Sequence, residues 1–130
     1  MNTTQRVDAK RPWAPLIAYS RAVRSGPLIE VGGTSSTSPD GTVQAPHDPY
    51  EQTKLVLETI VAAVEELGGD KINIIRTRAF LTDIAHWEPV GRAHGEIFQG
   101  IDPACTFVEV SRLMLDELVV EWEATAWVPE

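Results

Sequence analysis

The chain has 130 residues, of which 43% are hydrophobic, and its formal net charge is −8. This length is enough for one domain with its own core, and the composition is typical of a globular protein and excludes a disordered one. An acidic surface repels phosphate backbones, so the charge disfavours nucleic acid as a partner. Cys105 is the single cysteine, which rules out an internal disulfide and favours a cytoplasmic location.

The N-terminal stretch contains no apolar segment of the kind found in secretory signals. No apolar run approaches the ~20 residues that a membrane helix needs, so no membrane partner is expected. Residues 1–15 are predicted to form a loose lead-in, because Pro12 and Pro15 interrupt regular structure. We expect a single domain over 1–130.

Two short strands are predicted next, at Ile17–Arg24 and Leu28–Thr34. The turn residues Ser25-Gly26-Pro27 between them indicate a hairpin. The following stretch, 34–49, is rich in Ser, Thr, Pro and Gly and is predicted to be mostly loop.

A helix is predicted after this loop. Asp48 can cap its first turn, and Pro49 suits its first helical position. Its apolar residues recur at helical spacing at Val56, Ile60, Val64 and Leu67. The pair Gly68-Gly69 is expected to end the helix, because glycine enters the left-handed conformation without steric cost.

The second half of the chain predicts a strand at Asn73–Asp83 and a helix from about His86 to Gln99. Two further strands are predicted at Thr106–Arg112 and Leu118–Val128. The order β-β-α-β-α-β-β predicts an α+β fold, a two-layer sandwich in which two helices cover one sheet.

The predicted sheet has two unlike faces. Strand alternation turns Ile75, Val108 and Trp122 toward the helices. The opposite face is predicted to carry Ile74, Arg76, Arg78, Phe80, Phe107, Glu109, Glu121, Glu123 and Trp127. Charged and aromatic residues together favour a subunit interface with paired charges, and a solvated face with stray aromatics is the alternative.

Six segments in chain order resemble the RidA/YjgF (reactive intermediate deaminase) family and cover about residues 17–128. Arg76–Asp83 resembles the strand K-T-x-x-F-L-T-D, Pro103–Leu113 resembles P-A-R-S-x-V-E-V-A-R-L, and Val120–Ala124 resembles V-E-I-E-A. The resemblance implies a chorismate-mutase-like fold and a homotrimer. In such a trimer three sheets line a central barrel, and small-molecule clefts lie between neighbouring subunits.

Archetypal members of that family hydrolyse reactive imines and enamines to ketoacids and ammonia. The resemblance places their first-strand tyrosine at Tyr19, their water-ordering glutamate at Glu121 and their backbone-amide position at Gly32-Gly33. Cys105 stands where the family has a carboxylate-binding arginine, and a thiol offers one weak donor and no positive charge. We therefore expect a divergent member that is not an efficient 2-iminoacid deaminase.

Three further residues are expected to contact the substrate. Trp87 and Phe107 would give the cleft apolar walls, and with Cys105 they would suit an apolar or aromatic substrate. For Trp87, core packing is the alternative. Cys105 is interpreted as a pocket-wall residue and not as a nucleophile, because nearby Glu121 would raise its pKa.

Each catalytic candidate has an alternative. Glu121 would order water or act as a general base, or it would form a salt bridge with Arg76 or Arg78. Tyr19 would polarise the substrate or serve as a packing residue. His94 is predicted to be a hydrogen-bonded core histidine. The three histidines form no metal motif, so no metal or other cofactor is expected.

Two function classes stay open at this point. The first is a deaminase-like hydrolase acting on a carbon–nitrogen bond of a small metabolite. The second is a non-catalytic module that binds a metabolite in the same clefts. A nuclease or translation inhibitor is disfavoured by the acidic charge.

Overall fold

The computed structural model describes residues 3–130, which form one six-stranded sheet with the two longer helices packed on one face. The strands are β1 (Gln5–Asp8), β2 (Ser20–Ser25), β3 (Leu28–Thr34), β4 (Ile74–Leu81), β5 (Ala104–Glu109) and β6 (Val120–Trp127). The helices are α1 (Ala14–Ile17), α2 (Pro49–Glu66) and α3 (Trp87–Phe98). The strand order is β1-β2-β3-β6-β4-β5; β4 and β5 pair in parallel, and the other described pairs are antiparallel. The predicted α+β two-layer sandwich is confirmed.

Local signals position α2 as predicted. The Asp48 side chain accepts a hydrogen bond from the Glu51 backbone N–H at 3.0 Å, and Pro49 occupies the first turn. Gly68 follows the helix with a φ of 91°, a conformation that residues with a Cβ adopt only at a cost. The apolar stripe of α2 is buried against the sheet, which fixes the helix on its predicted face.

Trp122 of β6 lies at the centre of the core and is fully buried. The His94 ring of α3 stacks on it with centroids 5.0 Å apart, and His94 Nε2 lies 2.9 Å from Thr77 Oγ1. Burial lowers the pKa of His94. His94 is therefore the hydrogen-bonded packing residue that the sequence predicted, half-buried between helix and sheet.

The prediction of a loose lead-in over residues 1–15 is wrong for most of that segment. Gln5–Asp8 forms edge strand β1, which pairs antiparallel with β2, and Met1 and Asn2 lie outside the described residues. Arg11 ties the segment down further, because its Nε donates to Thr37 Oγ1 at 2.8 Å. A four-residue edge strand carries little apolar alternation, which is why the sequence pattern missed it.

Two predictions of facing are also wrong. A bulge between Ile74 and Arg76 interrupts the alternation of β4, so Ile74 is 1% exposed and Ile75 is 52% exposed. On β5, Phe107 pairs with buried Ala79 and therefore faces the helices, while Val108 is 40% exposed on the other face. The phase of β5 was misread by one residue, which exchanges its two faces.

The face away from the helices keeps its mixed character after these corrections. Arg78 Nη1 lies 3.7 Å from Glu123 Oε1, and Arg76 donates to Thr106 Oγ1 at 2.7 Å. Trp127 on this face is 50% exposed. An exposed sheet face that carries both an ion pair and large apolar groups is typical of a protein–protein interface.

Candidate functional site

A cavity of about 360 Å³ opens beside the ends of β2, β3 and β6. It is lined by Trp13, Ile17, Tyr19, Arg21, Gly33, Ser35, Thr37, Arg112, Leu113, Met114 and Glu121. The cavity thus brings together three of the predicted site residues, Tyr19, Gly33 and Glu121. We call it the Glu121 cavity.

Other depressions of similar size lie elsewhere on the described surface. One of about 470 Å³ follows the C-terminal part of α3, and one of about 610 Å³ lies beside the segment before β2. Size alone therefore does not select the site. The Glu121 cavity is distinguished by holding a carboxyl with a raised pKa together with a phenol and two guanidinium groups.

Glu121 extends from β6 across β3 on the face away from the helices. A Cβ placed on Gly33 would lie 2.5 Å from Glu121 Oε2, so a side chain at position 33 would displace the carboxyl. Burial raises the pKa of Glu121; the nearby Glu123 carboxylate adds to the effect, and the Arg21 guanidinium opposes it. A carboxyl that keeps its proton to higher pH is suited to exchange protons with water near neutrality.

Arg21 forms the inner wall of the cavity and is 6% exposed. Its Nη1 donates to the Gly33 carbonyl oxygen at 3.0 Å and to Thr34 Oγ1 at 3.2 Å. The guanidinium carbon also lies 5.9 Å from the centroid of the Tyr19 ring. Arg21 therefore fixes the backbone of β3 opposite Glu121 and places a positive charge behind the site.

Gly32 differs from its neighbour. A Cβ on Gly32 would meet only the Arg21 and Ser20 carbonyl oxygens, at 3.7 and 3.8 Å, which is ordinary contact distance. Glu121 thus excludes a side chain at position 33 and leaves room for one at position 32. The salt bridge considered for Glu121 is absent among the described residues, because Arg78 pairs with Glu123.

Cys105, Phe107 and Trp87 lie outside the Glu121 cavity. Cys105 pairs with Thr77 at the start of β5, and Trp87 is 59% exposed at the start of α3. Phe107 packs edge-to-face on Trp122, with ring centroids 5.7 Å apart. Within one chain, Tyr19 and Glu121 therefore share the cavity, and the other three predicted side chains do not reach it.

The surroundings of Cys105 favour the thiol over the thiolate. The residue is exposed at the sheet edge, yet enclosure of its sulfur raises the thiol pKa, against smaller opposing effects of the Thr77 hydroxyl and Arg76. The sequence-based prediction that Glu121 causes such a rise is wrong, because desolvation produces it.

Several cavity residues were missed by the sequence analysis, namely Trp13, Ile17, Arg21, Arg112 and Met114. Arg21 had a partial signal, since it follows Tyr19 by two residues and would share its face of the predicted strand Ile17–Arg24. Trp13 had none, because it lies in the segment interpreted as a lead-in.

Metal-binding clusters and membrane-spanning helices are both absent from residues 3–130. This part of the chain contains no group of three or more His, Cys, Asp or Glu side chains placed to hold a metal ion. Within the same range, no helix combines the length and apolar character that crossing a bilayer requires.

Comparison with known proteins gives a consistent picture. The Endoribonuclease L-PSP family model matches residues 9–128. A protein of Streptomyces coelicolor, named as uncharacterized, is 34% identical over 123 residues, covering 95% of this chain and 91% of its own. A RutC family protein of Pyrococcus abyssi is 34% identical over 113 residues, covering 87% of this chain and 88% of its own.

Solved structures agree with these sequence matches. Rv2704 of Mycobacterium tuberculosis, described as a member of the highly conserved YjgF/YER057c/UK114 family, is 35% identical, with a TM-score of 0.87 over 97% of this chain and 100% of that one. The YjgF gene product of E. coli is 27% identical, with a TM-score of 0.80 over 95% and 98% of the two chains.

Proposed function

The chain belongs to the Endoribonuclease L-PSP family, the RidA/YjgF proteins, and we propose that it hydrolyses a carbon–nitrogen bond of a small metabolite. One observation carries the proposal: the Glu121 carboxyl, with a raised pKa, shares a cavity with the Tyr19 phenol. Hydrolysis of an imine needs a base for the attacking water and a donor for the nitrogen, and these two groups supply them.

The reaction balances without any cofactor. Water attacks the carbon of the C=N bond while the Glu121 carboxylate takes a proton from it. The protonated Glu121 carboxyl gives that proton to the nitrogen, which completes a neutral carbinolamine. The Glu121 carboxylate then takes the hydroxyl proton and delivers it to the nitrogen as the C–N bond breaks, so the oxygen forms a carbonyl and ammonia or an amine leaves. Glu121 thus acts first as a base and then as an acid, for which a raised pKa is favourable.

The homotrimer expected from the resemblance is part of this proposal. Trp87 and Cys105 are exposed and lie apart from Tyr19, Gly33 and Glu121 in one chain, so they can complete the same cleft only from a neighbouring subunit. The mixed sheet face, with its exposed apolar side chains, is a surface that such a neighbour would cover. Phe107 would then support the cleft wall from behind.

The substrate would lack the carboxylate that archetypal members bind. Cys105 offers no positive charge, and the raised pKa of its thiol keeps it neutral. Ile17, Leu113 and Met114 add apolar surface to the cavity, which favours an apolar or aromatic imine. We do not propose ribonuclease activity for this chain, because a net charge of −8 opposes RNA binding. A cytoplasmic location is proposed with the single cysteine as its support.

The test compares imines with and without a carboxylate. Imines formed from benzylamine and alkylamines by an amine oxidase are offered beside the 2-iminoacid formed from serine by a dehydratase, and aldehyde or ammonia release is followed. The protein should accelerate hydrolysis of the first group. Glu121→Gln should lose about 10²- to 10⁴-fold in kcat, as expected for a missing general base.

Glu58→Gln is the matched control, since Glu58 is an exposed glutamate of α2, which packs on the sheet face opposite Glu121. It should keep most of the activity. Binding of imine analogues by wild-type protein without any turnover would identify a non-catalytic binding module instead. Rapid turnover of the serine-derived imine would contradict the proposed substrate class.

A further inference from the structure

Trp13 donates its indole N–H to the Tyr19 phenol oxygen, with Nε1 and Oη 2.9 Å apart. We infer that Trp13 is a positioning residue, which makes Tyr19 a hydrogen-bond donor directed at the ligand in the Glu121 cavity. The inference deepens the proposed function and rests on it for the identity of the ligand acceptor, a C=N nitrogen.

The direction of this hydrogen bond follows from the chemistry of the two groups. An indole nitrogen can only donate, whereas a phenol has one donor proton and two acceptor lone pairs. The Tyr19 oxygen must therefore accept from Trp13, and the Tyr19 proton is not used in this bond. Within residues 3–130 the Tyr19 hydroxyl makes no other hydrogen bond. Its proton is left for an acceptor in the cavity that both rings line.

Neighbouring groups fix the two rings. Gly41 lies against the indole, since a Cβ there would be 3.1 Å from Trp13 Cζ3. On the other side, the Arg21 guanidinium lies 5.9 Å from the centroid of the Tyr19 ring. Protein contacts thus hold both rings in place before a ligand enters.

The two catalytic groups then have separate tasks. The Tyr19 hydrogen bond polarises the C=N bond by withdrawing electron density toward nitrogen, and no proton transfer from the phenol is needed. The indole hydrogen bond strengthens this donation, because a hydroxyl that accepts a hydrogen bond donates a stronger one. Glu121 remains free to handle the protons of water.

A double-mutant cycle tests the inference through turnover of the benzylamine-derived imine. Tyr19→Phe should lower kcat by about 10²-fold, as for loss of one preorganised donor. Trp13→Phe should lower kcat roughly 2- to 10-fold, the range of one ordinary hydrogen bond, with a smaller change in KM. The double variant should be no slower than Tyr19→Phe, because Trp13 acts through Tyr19. Tyr50→Phe, in the first turn of α2, is the tyrosine control and should keep full activity.

Fully additive losses in the double variant would overturn the inference, since Trp13 would then act independently of Tyr19. If Trp13→Phe folds poorly, 3-benzothienylalanine at position 13 keeps the ring shape and replaces the N–H by sulfur. This substitution should reproduce the 2- to 10-fold loss of kcat. Its thermal stability should fall by no more than the loss of one hydrogen bond explains.

A second readout does not depend on turnover. The indole N–H resonance of Trp13, assigned by its absence in Trp13→Phe, should move upfield and exchange faster with solvent in Tyr19→Phe. An unchanged resonance would overturn the inference even if the enzyme is active. If the protein hydrolyses no imine but the resonance moves, the proposed function is wrong and the Trp13–Tyr19 arrangement still holds.

Discussion

Replacing Gly33 by alanine is the sharpest perturbation of the site that the structure offers. The added Cβ would lie 2.5 Å from Glu121 Oε2, about 0.9 Å closer than the 3.4 Å at which ordinary contact begins. The carboxyl must therefore move by about that amount, and a misplacement near 1 Å can lower the rate about 10²-fold. We expect Gly33→Ala to lose roughly that factor in kcat.

The stability of Gly33→Ala should change little. The φ of Gly33 lies outside the left-handed region, so alanine fits the backbone. Alanine stabilises such a position by about 0.4–1 kcal/mol through the unfolded chain, while shifting the Glu121 rotamer costs about 0.5–1.5 kcal/mol. The net change should stay within about 1 kcal/mol, or roughly 5 °C in Tm for a chain of this size.

The assay is imine hydrolysis together with thermal unfolding. Gly95→Ala is the matched control, because a Cβ there meets no atom within 4 Å, and it should keep activity. Full activity in Gly33→Ala would refute the assignment of Glu121 as the catalytic base. A large fall in Tm would show instead that position 33 is structural.

The remaining predictions concern protonation and the thiol. Burial raises the pKa of Glu121, so the stability that its protonated form contributes is lost as pH rises through that pKa. Glu121→Gln should therefore have a higher Tm than wild type at about pH 7.5 but not at about pH 4. Burial lowers the pKa of His94, so folded-state stability is lost as pH falls below the pKa of about 6.5 that histidine has in an unfolded chain. The Tm of His94→Gln should therefore fall less steeply with acid than that of wild type. Cys105, with its raised pKa, should react with a disulfide reagent several-fold more slowly than a free cysteine near neutral pH, and faster reaction would contradict its neutral state.

The sequence predicted those parts of the fold that local signals specify. The cap at Asp48 and the glycine at Gly68 bound α2, and both are properties of neighbouring residues. The facing of Ile75 and Phe107 was wrong, because a bulge and a one-residue shift in strand phase are decided by pairing with distant strands.

The candidate site was predicted unevenly for a similar reason. Tyr19, Gly33 and Glu121 came from the resemblance, and the structure places them in one cavity. Arg21 and Trp13 depend on contacts made by folding, to the Gly33 carbonyl and to the Tyr19 hydroxyl. The two-residue spacing of Tyr19 and Arg21 indicates a shared face but not these contacts, which only the folded arrangement identifies.

The mass of the protein in solution tests the account most directly, because the proposed clefts need a second subunit to supply Trp87 and Cys105. Sedimentation velocity on the full chain at micromolar concentration should give one species of three times the 14.3 kDa chain mass. A stable 14.3 kDa species under the same conditions would contradict the account, since each cleft would then lack its second wall.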